Sequence, residues 1–344
     1  MNAEHPGLIR SIAHRLAGDS PRLPDEGRLA PFDGATAWVN SEALTLEGLR
    51  GRVVLVDFLT YTCVNWLRTL PYVRAWASKY RDAGLTVVGV HTPEFGFEQN
   101  LENVRTQLRK LRVEFPVAVD NDYAVWTSFA NHYWPAVYLA DAEGRIRYHH
   151  FGEGEYAQTE MAIQQLLSDA GSQDLDRNLV MAEPEGLEVA ADWRTLGSPE
   201  TYLGYGQSSG FWSEDRATFD RPHAYGREPH LPLNNWDLAG TWTVAKHAAI
   251  LNEPRGRIAF QFHARDVNLV MGPLVAGTAI PFRDILDGQA VGAAHGTDVD
   301  DESGGTIRDQ TTYQLVRAPG PVTDRLFEIE FLEAGVEAYC FTFG

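Results

Sequence analysis

Apolar positions in the first half of the chain change repeatedly between continuous runs and helix-spaced patterns. The segments 52–58 (RVVLVDF) and 85–92 (LTVVGVHT) are rich in β-branched residues, which is typical of strands buried on both faces. Apolar residues recur at helical spacing over 63–83, 98–112 and 155–170. This alternation predicts a largely parallel sheet that is covered by helices.

Shorter patterns complete this first unit. The segment 116–120 predicts a strand and 122–131 a short helix. Two further strands, 135–141 and 144–151, are separated by a tight turn and therefore predict a hairpin. The predicted order is β-α-β-α-β-α-β-β-α, an α/β fold.

Beyond residue 200 the helical periodicity disappears. Short strand patterns separated by Gly, Pro and Asp-rich turns indicate an all-β sandwich of the jelly-roll type. The predicted strands are 240–250, 256–263, 266–271, 279–286, 306–317, 325–332 and 336–343.

A chain of 344 residues exceeds what one hydrophobic core usually organises, so we expect two domains. The α/β domain is predicted over 35–171 and the β-sandwich over 201–344, with an acidic and polar linker at 172–200. Residues 1–34 are predicted as a lead-in with a short amphipathic helix, whose apolar positions are Leu8, Ile9, Ile12, Ala13 and Leu16.

Composition excludes some classes of partner. The net charge of −18 argues against a nucleic-acid ligand, which would require a basic surface. We find no apolar stretch suited to a signal peptide or a membrane span, so a cytoplasmic location is expected. The histidines show no ligand spacing, and we expect neither a metal nor another cofactor.

The chain contains two cysteines, which lie in different halves. Cys63 follows a predicted buried strand and begins a predicted helix, where free N–H groups and the helix dipole are expected to lower a thiol pKa. It is therefore a candidate nucleophile. Cys340 lies in an apolar terminal strand and is expected to be a buried structural residue. A resolving role for Cys340 would need the second domain to fold over Cys63.

The segment VVLVDFLTYTCVNWLRTLPYV (53–73) resembles the active site of the thioredoxin superfamily, in its TlpA-like branch. The resemblance implies that Asp57 is a buried acid that moves protons at the thiol site. It also implies that Pro135, which follows Trp134, is a cis-proline facing Cys63. The strings GVHTPEF, VAVDNDYAVW, YWPAVYL and RYHHFGEGEY are similar to the C-terminal part of DipZ-type proteins, which join a thioredoxin-like domain to a carbohydrate-binding-module-like β-sandwich.

This sequence departs from the family at one position. The family pattern Cys-x-x-Cys would place a second cysteine at position 66, where Trp66 stands. Without that thiol, Cys63 cannot complete a disulfide within the motif. We therefore predict exchange by a single thiol on a protein or small-thiol partner. Trp66 either covers the site with apolar surface or packs on a substrate.

Two other functions remain open. Thr60 and Cys63 form a TxxC pattern similar to that of peroxiredoxins, and Arg68 would then stabilise the thiolate, although Val56 replaces the proline of that motif. The other candidate is a non-enzymatic binding protein with a degenerate redox domain. Glu94 is either a site residue at the end of its strand or a solvated loop acid.

A glycan is a further possible ligand of the β-sandwich, because tryptophan rings stack on sugars, although in such folds they more often belong to the core. The candidates are Trp193, Trp212, Trp236 and Trp242. DipZ-type relatives often act outside the cytoplasm, so the resemblance leaves an extracytoplasmic location open.

Overall fold

The computed structural model describes residues 23–214 and 217–344. The predicted helix around Leu8–Leu16 lies outside these ranges. The α/β domain contains strands β1 (Gly27–Arg28), β2 (Ala37–Val39), β3 (Val53–Leu59), β4 (Leu85–His91), β5 (Val117–Val119), β6 (Ala136–Ala140) and β7 (Arg145–Phe151). Its helices are α1 (Val64–Lys79), α2 (Leu101–Lys110), α3 (Ala124–Ser128) and α4 (Tyr156–Asp169).

These strands form one sheet in the order β1-β7-β6-β3-β4-β5-β2. Strand β3 lies at the centre and every one of its side chains is buried, as its β-branched run predicts. The prediction of a largely parallel sheet is wrong. Among the described strands, β3–β4 and β4–β5 pair in parallel and the other neighbours are antiparallel. The cause is that β6 of the predicted hairpin pairs antiparallel with β3 and that the edge strands β1 and β2 are also antiparallel to their neighbours. Local periodicity predicts the hairpin but reveals neither its pairing with β3 nor the short edge strands.

The second domain is all β, as predicted. Its strands are β8 (Thr201–Tyr202), β9 (His223–Tyr225), β10 (Trp236–Val244), β11 (Ala249–Leu251), β12 (Gly256–His263), β13 (Asp266–Pro273), β14 (Ile280–Leu286), β15 (Gln289–Ala290), β16 (Gly304–Ile307), β17 (Thr311–Arg317), β18 (Asp324–Phe331) and β19 (Val336–Phe343). Two predicted strands are each divided. A tight turn at 245–248 separates β10 from β11, and residues 308–310 separate β16 from β17.

The sandwich is an antiparallel sheet that curls so that its two halves face each other. Strand β10 belongs to both halves, because its first residues pair with β12 and its last residues pair with β9 and β11. The core lies between the halves, where the rings of Phe260 in β12 and Phe341 in β19 are 5.2 Å apart. Sheet curvature thus closes one apolar core between the two halves.

The predicted linker, 172–200, lies against the α/β domain. Glu188 forms an ion pair of 2.7 Å with Arg74 in α1. The amide of Val180 donates to the carboxylate of Glu160 in α4, at 2.9 Å. This segment is therefore attached along its path by polar contacts, while the division of the chain into domains at this point stays a prediction.

The outer face of the β13–β17–β19 region packs on the α/β domain next to the start of α1. Thr312 in β17 donates a hydrogen bond of 2.7 Å to the carbonyl oxygen of Thr62. The guanidinium of Arg68 donates to the carbonyl oxygen of Phe343 at 3.1 Å. These contacts place the second domain over the segment that contains Cys63.

Within the described ranges, we find no helix with both the length and the apolar character that a membrane crossing requires. The cytoplasmic location stays a prediction.

Replacing Arg68 with leucine is expected to destabilise the fold strongly. Arg68 is 2% exposed and lies 3.1 Å from Glu153, whose side chain is 9% exposed. The Arg68→Leu variant leaves that carboxylate buried without its partner, which typically lowers the free energy of unfolding by about 3–5 kcal/mol. Equilibrium unfolding in urea measures the difference.

Arg105→Leu is the matched control, because Arg105 pairs with Glu102 on an exposed surface. This substitution should change the free energy of unfolding by no more than about 1 kcal/mol. Equal effects of the two substitutions would contradict the structural role assigned to Arg68.

Candidate functional site

Cys63 lies where strand β3 passes into helix α1. It is the N-cap of α1, and its carbonyl oxygen accepts the first helical hydrogen bond, from the amide of Leu67 at 2.9 Å. Its side chain is half-buried. The Sγ atom lies 3.8 Å from the carbonyl oxygen of Trp134, and the Trp134–Pro135 peptide bond is cis. The structure therefore brings Cys63 and the proline loop together, as the sequence resemblance implied.

The expected lowering of the Cys63 pKa is wrong for this structure. Burial raises the pKa of the thiol well above its ordinary value, and the charge of Glu94 raises it further. The backbone amides of Trp66 and Asn65 lower the pKa, which is the helix N-terminal effect. Desolvation is the larger of these opposing effects. The Cys63 side chain packs on the α/β core, and the second domain contacts the preceding residue, Thr62.

Trp66 takes the position of the second cysteine and pairs with Asp57. The indole is fully buried, and its Nε1 donates to Asp57 Oδ2 at 2.9 Å. A substrate therefore has no access to the Trp66 ring in this structure. Burial raises the pKa of Asp57 from 3.8 to about 7, and the Trp66 hydrogen bond lowers it. Asp57 is thus able to bind or release a proton near neutral pH, while its role at Cys63 stays a prediction.

Glu94 is half-buried and contacts the second domain. The hydroxyl of Tyr202 in β8 donates to Glu94 Oε1 and lies 3.2 Å from Glu200 Oε2. Burial, followed by the charge of Glu200, raises the pKa of Glu94 from 4.5 to about 8. Glu94 therefore belongs to the surroundings of the Cys63 thiol and is not a fully solvated loop acid.

Glu98 holds the segment before Cys63, and sequence reasoning missed it. It is fully buried and accepts a 2.7 Å hydrogen bond from the hydroxyl of Thr62. Its other oxygen accepts from the amides of Glu94 and Phe95, at 2.7 and 2.9 Å. An acid three residues into a tight helical turn was the available signal, because such acids cap backbone amides. Thr60, the first residue after β3, is also buried.

Arg68 does not support the Cys63 thiolate. Its guanidinium is bound by Glu153 and by the carbonyl oxygen of Phe343. Arg68 lies in a helix, as the sequence predicts. Its guanidinium, however, is bound by partners far away in the sequence, one of which belongs to the second domain. The cation proposed for a peroxidase site is therefore engaged elsewhere.

Exposed aromatic rings lie beside the cis-proline loop. Tyr133 is 54% exposed and Phe151 is 40% exposed, and their ring centroids are 5.1 Å apart. The ring of Trp134 packs instead on Trp126, at 4.4 Å. The loop therefore presents apolar surface to solvent next to the residue that approaches the Cys63 sulfur.

The four tryptophans considered for glycan binding divide into two groups. Trp236 and Trp242 are fully buried in the sandwich core. Trp212 is 47% exposed, and Trp193 is 58% exposed and lies 5.9 Å from the Arg68 guanidinium. Glycan binding stays a prediction. Within the described residues we find no group of three or more His, Cys, Asp or Glu side chains able to hold a metal ion.

Comparisons with known proteins agree with this architecture. The sequence model of a family described as "Thioredoxin like C-terminal domain" matches residues 198–344. The protein DipZ of Mycobacterium bovis is 38% identical over 290 residues, which cover 81% of this chain. The chain spans 40% of the length of that DipZ protein.

Two smaller proteins match less than half of the chain. The thiol-disulfide oxidoreductase YkuV of Bacillus subtilis is 26% identical over 136 residues, which cover 40% of this chain and 91% of YkuV. The crystal structure of a thiol-disulfide isomerase from Corynebacterium glutamicum is 25% identical, with a TM-score of 0.39, and the match covers 42% of this chain and 99% of the isomerase.

The stability of the fold is expected to decrease as pH rises from about 4 to about 7, because of Asp57. Asp57 loses its proton near pH 4 in the unfolded chain and near pH 7 in the folded protein. Between these values the folded protein binds one more proton, so its free energy of unfolding falls with increasing pH, by at most about 1.4 kcal/mol per unit for this group. Asp57→Asn should reduce that slope, as measured by urea unfolding between about pH 5 and about pH 7.

Asp122→Asn is the control, because Asp122 is exposed in a loop of the same domain. It should leave the wild-type slope unchanged. A slope that Asp57→Asn does not alter would refute the assignment of a raised pKa to Asp57.

Proposed function

This chain belongs to the thioredoxin superfamily, in its TlpA-like branch, and we propose that it performs thiol-disulfide exchange through Cys63. The partner is a protein thiol or disulfide, or a small thiol. The observation that carries the proposal is the position of the sulfur. It lies at the N-cap of α1, half-buried and 3.8 Å from the carbonyl oxygen that precedes cis-Pro135. That carbonyl and the adjacent backbone offer hydrogen-bonding groups to an extended substrate chain.

The proposed reaction uses one thiol at a time. The Cys63 thiolate attacks one sulfur of a partner disulfide, forms a mixed disulfide, and releases the other sulfur as a thiolate that takes up a proton. A second thiol then attacks the mixed disulfide and restores Cys63. Glu94, with a pKa of about 8, is the acid whose charge acts most strongly on the thiol, and we assign it the proton transfer together with Asp57.

Two further features support a protein partner. The exposed rings of Tyr133 and Phe151 adjoin the proline loop and provide apolar contact area for a bound chain. YkuV, whose match covers 40% of this chain, is named a thiol-disulfide oxidoreductase.

A non-enzymatic binding protein is the second candidate. The observation in its favour is the burial that raises the pKa of Cys63, since a protonated thiol is a poor nucleophile. In this alternative the sandwich and the covered redox edge form a scaffold for a ligand or partner. The two functions differ in whether Cys63 reacts with a disulfide.

Treatment of the reduced protein with glutathione disulfide tests the exchange reaction. Wild-type protein should release glutathione and lose the free Cys63 thiol, because the thiolate attacks the disulfide. Free glutathione and alkylated peptides are quantified by mass spectrometry. Cys63→Ser is the control and should release no glutathione. A Cys63 thiol that stays free throughout would reject exchange and favour the binding protein.

Restoring a cysteine at position 66 is expected to restore the local dithiol. In Trp66→Cys, the new thiol lies one helical turn from Cys63, so a disulfide should form within the motif and leave Cys340 free. Peptide mapping without reduction detects this linkage.

Trp66→Ala is the matched control, because it creates a similar cavity without a thiol. Both variants should lose about 3–5 kcal/mol of stability, so folding is verified by circular dichroism before the chemistry is compared. A Trp66→Cys protein that folds but leaves both thiols of the motif free would contradict a redox-competent geometry at Cys63.

A further inference from the structure

We propose that Cys340 is the resolving thiol for Cys63, so that each domain supplies one cysteine to an interdomain disulfide. This inference rests on the proposed exchange function of Cys63. It assigns to the β-sandwich the second sulfur that the motif has lost. The sequence interpretation of Cys340 as a buried residue is correct for its exposure, which is 1%. We assign the chemical role from the direction in which the Cys340 side chain points.

A β-bulge directs Cys340 out of the sandwich core. In β19, Ala338 and Phe341 point into the core between the two halves of the sheet. The register with β13 shifts between Val270, which pairs with Cys340, and Met271, which pairs with Ala338. The extra residue in β19 places Tyr339 and Cys340 together in a different apolar cluster, outside the core. Bulges commonly re-aim a side chain in this way.

The outer face reached by Cys340 is the face that covers the redox site. Its cluster includes Phe95 of the α/β domain, whose ring lies 5.3 Å from that of Tyr339. Cys340 pairs in the sheet with Tyr202, and the Tyr202 hydroxyl donates to Glu94. Tyr202 of β8 therefore links Cys340, its neighbour in the sheet, to Glu94, an acid whose charge acts on Cys63.

A hydrogen bond on the same face fixes the other side of the site. Thr312 in β17 donates to the carbonyl oxygen of Thr62, the residue immediately before Cys63. Strand β17 of the second domain thus holds the segment that carries Cys63. This is the arrangement that a resolving role for Cys340 requires.

The electrostatics agree with this juxtaposition. Burial raises the pKa of Cys340, and so do the charges of Glu200, Glu94 and Cys63. Glu94 and Glu200 also raise the pKa of Cys63. Both sulfurs therefore share one acidic environment, and each is near enough to be influenced by the same two carboxylates.

The proposed step balances without an additional oxidant. Cys63 first exchanges with a partner disulfide, which yields the mixed disulfide and one partner thiol. The Cys340 sulfur then attacks Cys63 Sγ, the bond from Cys63 to the partner breaks, and the leaving thiolate takes the Cys340 proton. The partner disulfide is reduced to two thiols, and the protein dithiol is oxidised to the Cys63–Cys340 disulfide.

The experiment follows the glutathione adduct on the full chain. Reduced wild-type protein, Cys340→Ala and Cys340→Val are each treated with glutathione disulfide, quenched with acid, alkylated and mapped without reduction. Wild type should yield a linked peptide containing Cys63 and Cys340. The two variants should instead retain glutathione on Cys63, at least about tenfold more than wild type, because an intramolecular thiol acts at about millimolar or higher effective concentration.

The outcomes separate this inference from the proposed function. If the adduct forms on Cys63 and persists equally in wild type and the variants, exchange stands and the resolving role is overturned. If Cys63 stays free in all three proteins, both are overturned. A linked peptide that occurs only in covalent dimers also overturns the resolving role. Cys340→Ala and Cys340→Val differ in side-chain size, so a folding defect in one variant does not decide the result. The linked peptide in wild type is a separate measurement that needs neither variant.

Discussion

The hydrogen bond from Thr312 to the carbonyl oxygen of Thr62 joins residues 250 positions apart and fixes the backbone directly before Cys63. Thr62 is also bound through its hydroxyl by Glu98, from within its own domain. The loop that carries the nucleophile is thus held from both domains. The contact of Glu94 with Tyr202 depends on the same docking, because Tyr202 belongs to the second domain.

Two opposing physical effects determine the pKa of the Cys63 thiol. Free N–H groups at a helix N-terminus stabilise a thiolate and so lower the thiol pKa. The amides of Asn65 and Trp66 have this effect on Cys63. Burial and the charge of Glu94 act in the opposite direction and exceed it. Any motion that rehydrates the thiol would therefore lower the Cys63 pKa and increase its nucleophilicity. The surroundings of the thiol, more than its position at the start of α1, therefore determine the reactivity of Cys63.

The sequence predicted the features that depend on neighbouring residues. Strand β3, the start of α1 at Cys63 and the β6–β7 hairpin follow from local patterns, and the cis bond before Pro135 followed from the family resemblance. Arg68 was assigned the wrong partner because its contacts, Glu153 and Phe343, are 85 and 275 residues away. The sign of the Cys63 pKa shift was wrong because burial outweighs the effect of the helix N-terminus, and burial depends on tertiary packing that a local pattern does not reveal.

Trp66 has a structural role at the position where the family has its second cysteine. Its indole fills a fully buried position and satisfies one oxygen of Asp57, so that the acid keeps a partner in the core. A free carboxylate left there without a donor would be costly. The side chain at position 66 therefore serves packing, and the proposed exchange reaction needs a second sulfur from another position. Because this sequence contains two cysteines, intramolecular disulfide chemistry can only join Cys63 to Cys340, across the interface that holds Thr62.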